Sequence, residues 1–220
     1  MVCILFMALF CCIGVIGWLG YEYHTTHING SNNGNDSSQS ELSKTPKNMI
    51  IFIGDGMGPS QHSVYRKWKG VSKTIMDLNY IGKYDTLSAN SSVTDSANGA
   101  YCLSTGNLTT NGYIGVDVHG NPVANIAEAA KLAYGKGVGV ISTKYITDAT
   151  PASFSPGAHS LTRRFLNLIA KQQGMANVNQ TMIDILWGAG RRYFLAMNKS
   201  GSSRDDMWDI ETGWADYGWD

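Results

Sequence analysis

Residues 48–61 read NMIIFIGDGMGPSQ. Residues 49–53 are all apolar, and Asp55 follows at once among Gly54, Gly56 and Gly58. A short uninterrupted apolar run is the pattern of a strand covered on both faces. The glycines free the backbone at its carboxyl end, which is where open α/β sheets form their sites. GDGMGP is a poor phosphate loop. It lacks the third glycine of G-x-G-x-x-G and the lysine of a P-loop, and its carboxylate would repel a bound phosphate. Asp55 therefore reads either as a cation ligand or as a turn residue capping the helix that Pro59 and Ser60 can open.

Strand and helix signals alternate onward from there. NPVANIAEAAKLAYGKG places Asn121 as an N-cap, Pro122 at the first helical position and Gly135 as a C-cap. Residues 137–143, GVGVIST, read as a strand, LTRRFLNLIAKQQG as a helix ending at Gly174, and MIDILWGAG as a strand with a glycine turn. No repeat is visible. Strands separated by helical patterns predict an α/β fold with a mostly parallel sheet.

The chain has 220 residues, one domain or part of a larger one. Hydrophobic residues make up 43% and charged residues 15%, enough to build a core. Lys+Arg and Asp+Glu both number 17, so net charge offers no attraction for nucleic acid.

The first residues differ from this body. Residues 2–20, VCILFMALFCCIGVIGWLG, carry no charge. At about 1.5 Å per helical residue the run can cross a bilayer core. The chain has no Lys or Arg before Lys44, and GWLGYEY is a poor cleavage site, so a signal anchor fits better than a cleaved signal peptide. Either sends the remainder into the secretory pathway, membrane-anchored or secreted, at the cell surface or in a lumen. Residues 21–46, rich in Ser and Asn, read as a flexible polar stalk before a body at 47–220. Asn29, Asn35, Asn90, Asn107, Asn179 and Asn198 stand in glycosylation sequons, each weak by itself. Cys3, Cys11 and Cys12 lie in the apolar run, which leaves Cys102 alone in the body as a small buried hydrophobe.

Two further stretches carry chemistry. In SVTDSANGAYCLSTG, Ser96 stands at the start of a helix of small residues, near the positive end of its dipole. A nucleophilic serine needs activation. The G-x-S-x-G elbow is absent and no histidine is near in sequence, and a metal ion could do the job by lowering the hydroxyl's pKa. The bland alternative is a Ser or Asp N-cap. In ISTKYITDATPASFSPGAHSLTRR, Asp148 and Thr150 read as loop residues at another carboxyl edge, with hard oxygens suited to Mg²⁺. Arg163 and Arg164 begin the next helix, where an arginine fork could hold phosphate oxygens or simply face solvent.

Taken in order, these blocks resemble the alkaline phosphatase family. KNMIIFIGDGMGPS is similar to its first strand and metal-binding aspartate, and TDSANGAYCLSTG to its nucleophile motif and following helix. GKGVGVISTKYITDATPA and DILWGAGRRYF are similar to its next two blocks. The resemblance implies a three-layer α/β sandwich with a mostly parallel sheet, here incomplete. It implies a phosphate monoester hydrolase using Zn²⁺ and Mg²⁺ through a phosphoserine intermediate, and a homodimer in full-length form. By it, Asp55 bridges one zinc and the magnesium, and Ser96 is the nucleophile and a zinc-side ligand. Asp95 holds the phosphate-binding arginine, and Asp148 and Thr150 serve the magnesium. Arg163 is that arginine, with Arg164 the alternative because SFSPGA is about two residues longer than the family pattern.

Asn98 also departs from the family, standing where a small residue is usual. The family's remaining ligands include an Asp and His one helical turn apart and an Asp-His pair. None of His24, His27, His62, His119 and His159 follows an Asp directly or has an Asp four residues before it. The chain therefore reads as an N-terminal portion, and the alternative function is a catalytically inactive fragment that only binds or dimerises. A sulfatase would need x-Pro-x-Arg after its nucleophile, whereas Ser96 is followed by Ala97, Asn98, Gly99 and Ala100.

If the apolar run is retained as an anchor, N-terminal sequencing of the expressed protein returns the start of the chain. A mature chain beginning between Gly20 and Lys47 would show cleavage instead.

Overall fold

The computed structural model describes residues 3–9, 48–78, 82, 84–176 and 182–210. Its strands are β1 (Cys3–Leu9), β2 (Ile50–Gly54), β3 (Gly137–Tyr145) and β4 (Ile185–Ala189). Its helices are α1 (Pro59–Lys69), α2 (Ile75–Leu78), α3 (Ser96–Thr105), α4 (Ile126–Tyr134), α5 (Ala149–Phe154) and α6 (Leu166–Met175), followed by a 3₁₀ turn at Arg191–Tyr193. The sheet is parallel throughout, in the order β2-β1-β3-β4. This is the open α/β arrangement that the alternating pattern predicts.

β1 departs from the membrane reading of residues 2–20. Cys3–Leu9 pairs on one side with β2, Leu5 opposite Ile50, and on the other with β3, Cys3 opposite Gly137. An apolar run without polar interruption suits a buried strand as well as a bilayer, and hydropathy does not separate the two. Residues 10–20 and the stalk at 21–46 lie outside the described residues. Among the described residues no helix is long and apolar enough to cross a membrane.

β2 is half-buried rather than fully covered, because it is the edge of the described sheet. The core lies behind β3. Val138 and Val140 pack with Phe154, Ala170, Phe194 and Ile210, and Ile51 and Ile53 of β2 lean against that cluster. A second cluster is built mostly of small residues, with Ala97 from α3, Ala149 and Ala152 from α5, and Ile114 and Ile169 around them. Alanines let the two helices approach closely, which brings their N-terminal ends to one side of the sheet.

Several element boundaries differ from the sequence reading. α4 starts at Ile126 with Asn125 as its cap, four residues after the predicted start. The Asn125 side chain accepts from the Ala127 and Glu128 N–H groups, while Glu128 reaches back to the Asn125 N–H. That reciprocal capping box outcompetes Asn121 and Pro122. Asn121 is held in a turn by the Asp117 carboxylate, and Pro122 bridges to Val116. Gly135 is the left-handed C-cap, as predicted.

Asp148 and Thr150 are not loop residues. Asp148 caps α5 and Thr150 lies within it, and Pro151 is tolerated because the first-turn N–H groups have no intrahelical partner. Arg163 and Arg164 precede α6 instead of opening it, in a turn where the Thr162 N–H bonds the Ser160 hydroxyl.

That turn is pinned from outside. The Arg163 N–H donates to the Gly112 carbonyl at 2.6 Å, and Ile114 and Ser160 exchange backbone hydrogen bonds at 2.8 Å each. Gly115 sits in the same contact at φ +60°, and a Cβ there would lie 2.1 Å from the Ala158 carbonyl oxygen. Gly115→Ala combines a left-handed penalty with a backbone clash, so we expect a loss of roughly 3 kcal/mol. A thermal melt should fall by about 10 °C; an unchanged melt would mean that this contact does not hold the turn.

Candidate active site

Three glycine- or cap-terminated segments converge beyond the carboxyl ends of β2 and β3. The turn after β2 is closed by the Met57 N–H bonding the Gly54 carbonyl at 3.1 Å, with Gly56 at φ +66°. It projects Asp55 toward the start of α3. The Ser96 hydroxyl donates to Asp55 Oδ1 at 2.9 Å, and the Thr150 hydroxyl of α5 donates to Asp55 Oδ2 at 3.1 Å. Side chains far apart in the chain therefore meet on one carboxylate.

Asp95 is the N-cap of α3. Its Oδ1 accepts from the Ala97 and Asn98 N–H groups at 3.1 and 3.0 Å, and its Oδ2 accepts from Arg163 Nη1 at 3.2 Å. Asp148 caps α5 through the Ala149 N–H at 2.8 Å and accepts from Arg163 Nη2 at 3.0 Å. The Arg163 guanidinium thus ties together the caps of two helices. Asp95 takes the cap, which leaves the Ser96 hydroxyl to bond Asp55.

The Asp148 carboxyl illustrates the electrostatics. Burial pushes its pKa up, but the Lys144 ammonium, the Ala149 N–H and the Arg163 guanidinium outweigh burial and hold it below the ordinary carboxylate value. Burial likewise pushes Arg163 down, and its bonds to Asp148 and Asp95 raise it above its usual value. Burial pushes the Cys102 thiol up, but the residue is half-buried rather than buried as predicted, because it borders the cavity beside Ser96.

Asp55, Asp95, Ser96, Thr150 and Arg163 line one cavity of about 680 Å³. Met57, Leu87 and Leu103 form part of its apolar wall. Arg164 is outside this cavity and borders a separate groove beside α6, so the structure separates the two candidate arginines. Asp148 stands behind Arg163, its second oxygen facing Lys144 Nζ at 2.6 Å.

Sequence reasoning missed two supports. Asn98 is fully buried, and its amide donates to the Leu87 carbonyl and the Thr94 hydroxyl while accepting from the Thr109 N–H. It fastens the surrounding loops to α3, which accounts for a large residue at a position where a small one is usual. Asn111 accepts from the Asp95 N–H and donates to the Val93 carbonyl, fixing the strand-like approach to the cap. Neither asparagine carries a clear local sequence signal, because apart from Thr94 their partners lie 11 to 18 residues away.

The donor chemistry discriminates between metals. Asp55 and the Thr150 hydroxyl are hard oxygens, and Mg²⁺ is commonly held by one or two carboxylates plus water. That set fits Mg²⁺. It does not fit Zn²⁺, which wants three protein ligands of N, S or O type. Among the described residues no group of three or more His, Cys, Asp or Glu could hold a metal. His62 bonds the Thr74 hydroxyl, and the His159 ring packs beside Gly115, away from the cavity.

The alkaline phosphatase family model matches residues 46–215, most of the chain. The chain belongs to the alkaline phosphatase family. It is 39% identical over 175 residues to the alkaline phosphatase of Schizosaccharomyces pombe, covering 76% of this chain and 32% of that one. It is 39% identical over 167 residues to the repressible alkaline phosphatase of Saccharomyces cerevisiae, covering 73% and 29%. The chain therefore spans about a third of the length of these relatives. Among solved structures it is similar to a cold-active alkaline phosphatase from Shewanella sp., with a TM-score of 0.62 and 30% identity over 76% of this chain and 39% of that one. It also matches a TAB5 alkaline phosphatase mutant with Mg bound in the M3 site, with a TM-score of 0.60 and 36% identity over 72% and 41% of the two chains.

The depressed Asp148 carboxyl makes a testable statement about stability. Its folded pKa lies below the unfolded value of about 3.9, so its contribution is complete above that value and is lost as pH falls through the folded pKa. Asp148→Asn should cost about 2–3 kcal/mol at pH 7 by leaving Arg163 and Lys144 short of a partner. In urea titrations the gap from wild type should narrow below about pH 4. A gap that stays constant to low pH would exclude the carboxylate charge as its source.

Proposed function

We propose that the cavity binds phosphate monoesters and transfers their phosphoryl group to Ser96. The observation that carries this reading is the 2.9 Å hydrogen bond from the Ser96 hydroxyl to Asp55, in the same cavity as the Arg163 guanidinium. The Asp55 carboxylate orients the hydroxyl and can accept its proton as the oxygen attacks phosphorus. The new bond is Oγ–P, the bond lost is from phosphorus to the ester oxygen, and the alcohol leaves with a proton from water. Arg163, held by Asp95 and Asp148, presents its remaining N–H groups to the equatorial oxygens as charge shifts onto them. Water then attacks the phosphoserine, releasing phosphate and returning the proton to Ser96.

Asp55 and Thr150 are the residues that would hold Mg²⁺, and the family resemblance adds Asp148, which caps the helix that carries Thr150. A divalent cation there would favour the ionised serine oxygen and offset phosphate charge. The family resemblance also implies Zn²⁺, but Asp55 and Ser96 alone do not make a zinc site, and no step is assigned to it. The uncharged run at 2–20 and the sequons at Asn90 and Asn198 support a secreted or membrane-anchored glycoprotein, although the first part of that run pairs as β1. A homodimer is proposed on the family resemblance. The alternative reading, a catalytically inactive binding or dimerisation module, is supported by the absence of a zinc-holding group among the described residues.

Two measurements separate these readings. When the chain is complemented by the rest of an alkaline phosphatase domain and incubated with phosphate at low pH, mass spectrometry should place phosphate on Ser96, and Ser96→Ala should lose most turnover. The label on another residue would remove Ser96 from its role. The 220 residues alone should hydrolyse p-nitrophenyl phosphate at most marginally, even with excess Zn²⁺ and Mg²⁺. Substantial Ser96-dependent turnover would show that the metal ligands lie elsewhere in this chain.

A further inference from the structure

α3 presents one face to the cavity. Residues at i, i+3, i+4 and i+7 share a helix face. Ser96, Gly99, Ala100 and Leu103 stand at that spacing, and all four border the cavity. At about 1.5 Å per residue the face runs roughly 10 Å from Ser96 to Leu103. Its middle is bare. Apart from its neighbours in the helix, a Cβ at Gly99 would meet only Thr94 Oγ1, at 4.0 Å. A methyl group there would stand in open cavity.

Other elements add apolar surface to the same cavity. The Met57 side chain lies across Gly54, its Sδ 2.9 Å from where a Cβ would be. Leu87 and Leu103 are each 45% exposed, and Tyr84 beside them is exposed too. A flat apolar group laid on such surface removes it from water, which is favourable in proportion to the area covered. Charge is distributed differently. Among the described residues that line the cavity, Arg163 is the only cation, whereas Asp55, Asp85 and Asp95 are carboxylates. Arg163 can meet one phosphate. A second negative group on the ligand would face carboxylates with no further cation to offset it.

We propose that this part of the cavity is the slot for the group esterified to the phosphate, and that the preferred substrates are monoesters of aryl alcohols without a second negative charge. This rests on the phosphate monoester reading of the cavity given above. Gly99 is the specificity-determining position, because its missing side chain leaves room for a ring between Ser96 and Leu103. Leu103 and Leu87 supply the apolar surface that the ring covers. The slot belongs to the substrate because it is continuous with Ser96 and Arg163 in one cavity.

The test uses the 220-residue chain with Mg²⁺ present and two probes, methylphosphonate and phenylphosphonate, followed by isothermal titration calorimetry. Their carbon–phosphorus bond does not pass to Ser96, so binding is read without turnover. Phenylphosphonate should bind about tenfold more tightly than methylphosphonate. Phosphonoacetate, which adds a carboxylate, should bind no more tightly than methylphosphonate. In Gly99→Leu the phenyl advantage should vanish, so that the two probes bind alike. Leu103→Ser should cut the advantage to about threefold. Leucine is a better helix former than glycine, and circular dichroism melts identify any variant that has lost its fold. Equal binding of both probes by wild type would overturn the proposal while leaving the phosphate reading intact. So would a phenyl advantage that survives Gly99→Leu with a wild-type melt. If Gly99→Leu does not fold, an undiminished advantage in Leu103→Ser overturns the proposal in its place. If neither probe binds at millimolar concentration, the phosphate reading itself fails, and the slot with it.

Discussion

The Arg163 guanidinium bridges the carboxylates that cap α3 and α5, and the remainder of the site depends on that bridge. Each carboxylate already has a local duty, accepting the first N–H groups of its helix. Arg163 gives them a shared one. It fixes the distance between two helix starts and offsets the charge of both carboxylates. Because the same guanidinium ties the two caps and lines the cavity, its geometry cannot relax without disturbing both.

The bridge is reachable only because α3 and α5 lie close together. Ala97, Ala149 and Ala152 pack between them without long side chains to hold the helices apart. On the other side, Asn98 ties Leu87, Thr94 and Thr109 to α3, so the loops cannot drift from the helix they surround. The Gly115 contact then holds the turn that delivers Arg163. Small residues, a buried amide and a left-handed glycine are thus parts of one positioning device. The Ser96–Asp55–Thr150 contacts sit at its open end.

The same economy governs the metals. Hard oxygens near Asp55 suit a magnesium-type cation, and the carboxylate behind Arg163 is screened by Lys144. Zinc chemistry requires ligands that the described residues do not assemble. Membership of the alkaline phosphatase family, with about a third of its relatives' length covered, is consistent with that division. Ser96, Arg163, Asp55 and Thr150 line one cavity of this chain.

By itself the sequence determined the parallel α/β plan, the turn at Asp55, the helix beginning at Ser96 and the C-cap at Gly135, because each follows from contacts a few residues apart. It also placed Asp55, Asp95, Ser96, Asp148, Thr150 and Arg163 at candidate positions through short motifs. Tertiary structure alone decided between Arg163 and Arg164, since only the pairing of Gly112 with the Arg163 backbone selects which guanidinium faces the caps. It moved the start of α4 from Asn121 to Asn125, where a reciprocal capping box is complete. It also put Cys3–Leu9 between β2 and β3, a choice hydropathy leaves open because a bilayer and a sheet interior are equally dry. Local periodicity reports how a segment meets its own neighbours; which distant carboxylate an arginine meets, or which strand a dry segment joins, is set by packing across the whole chain.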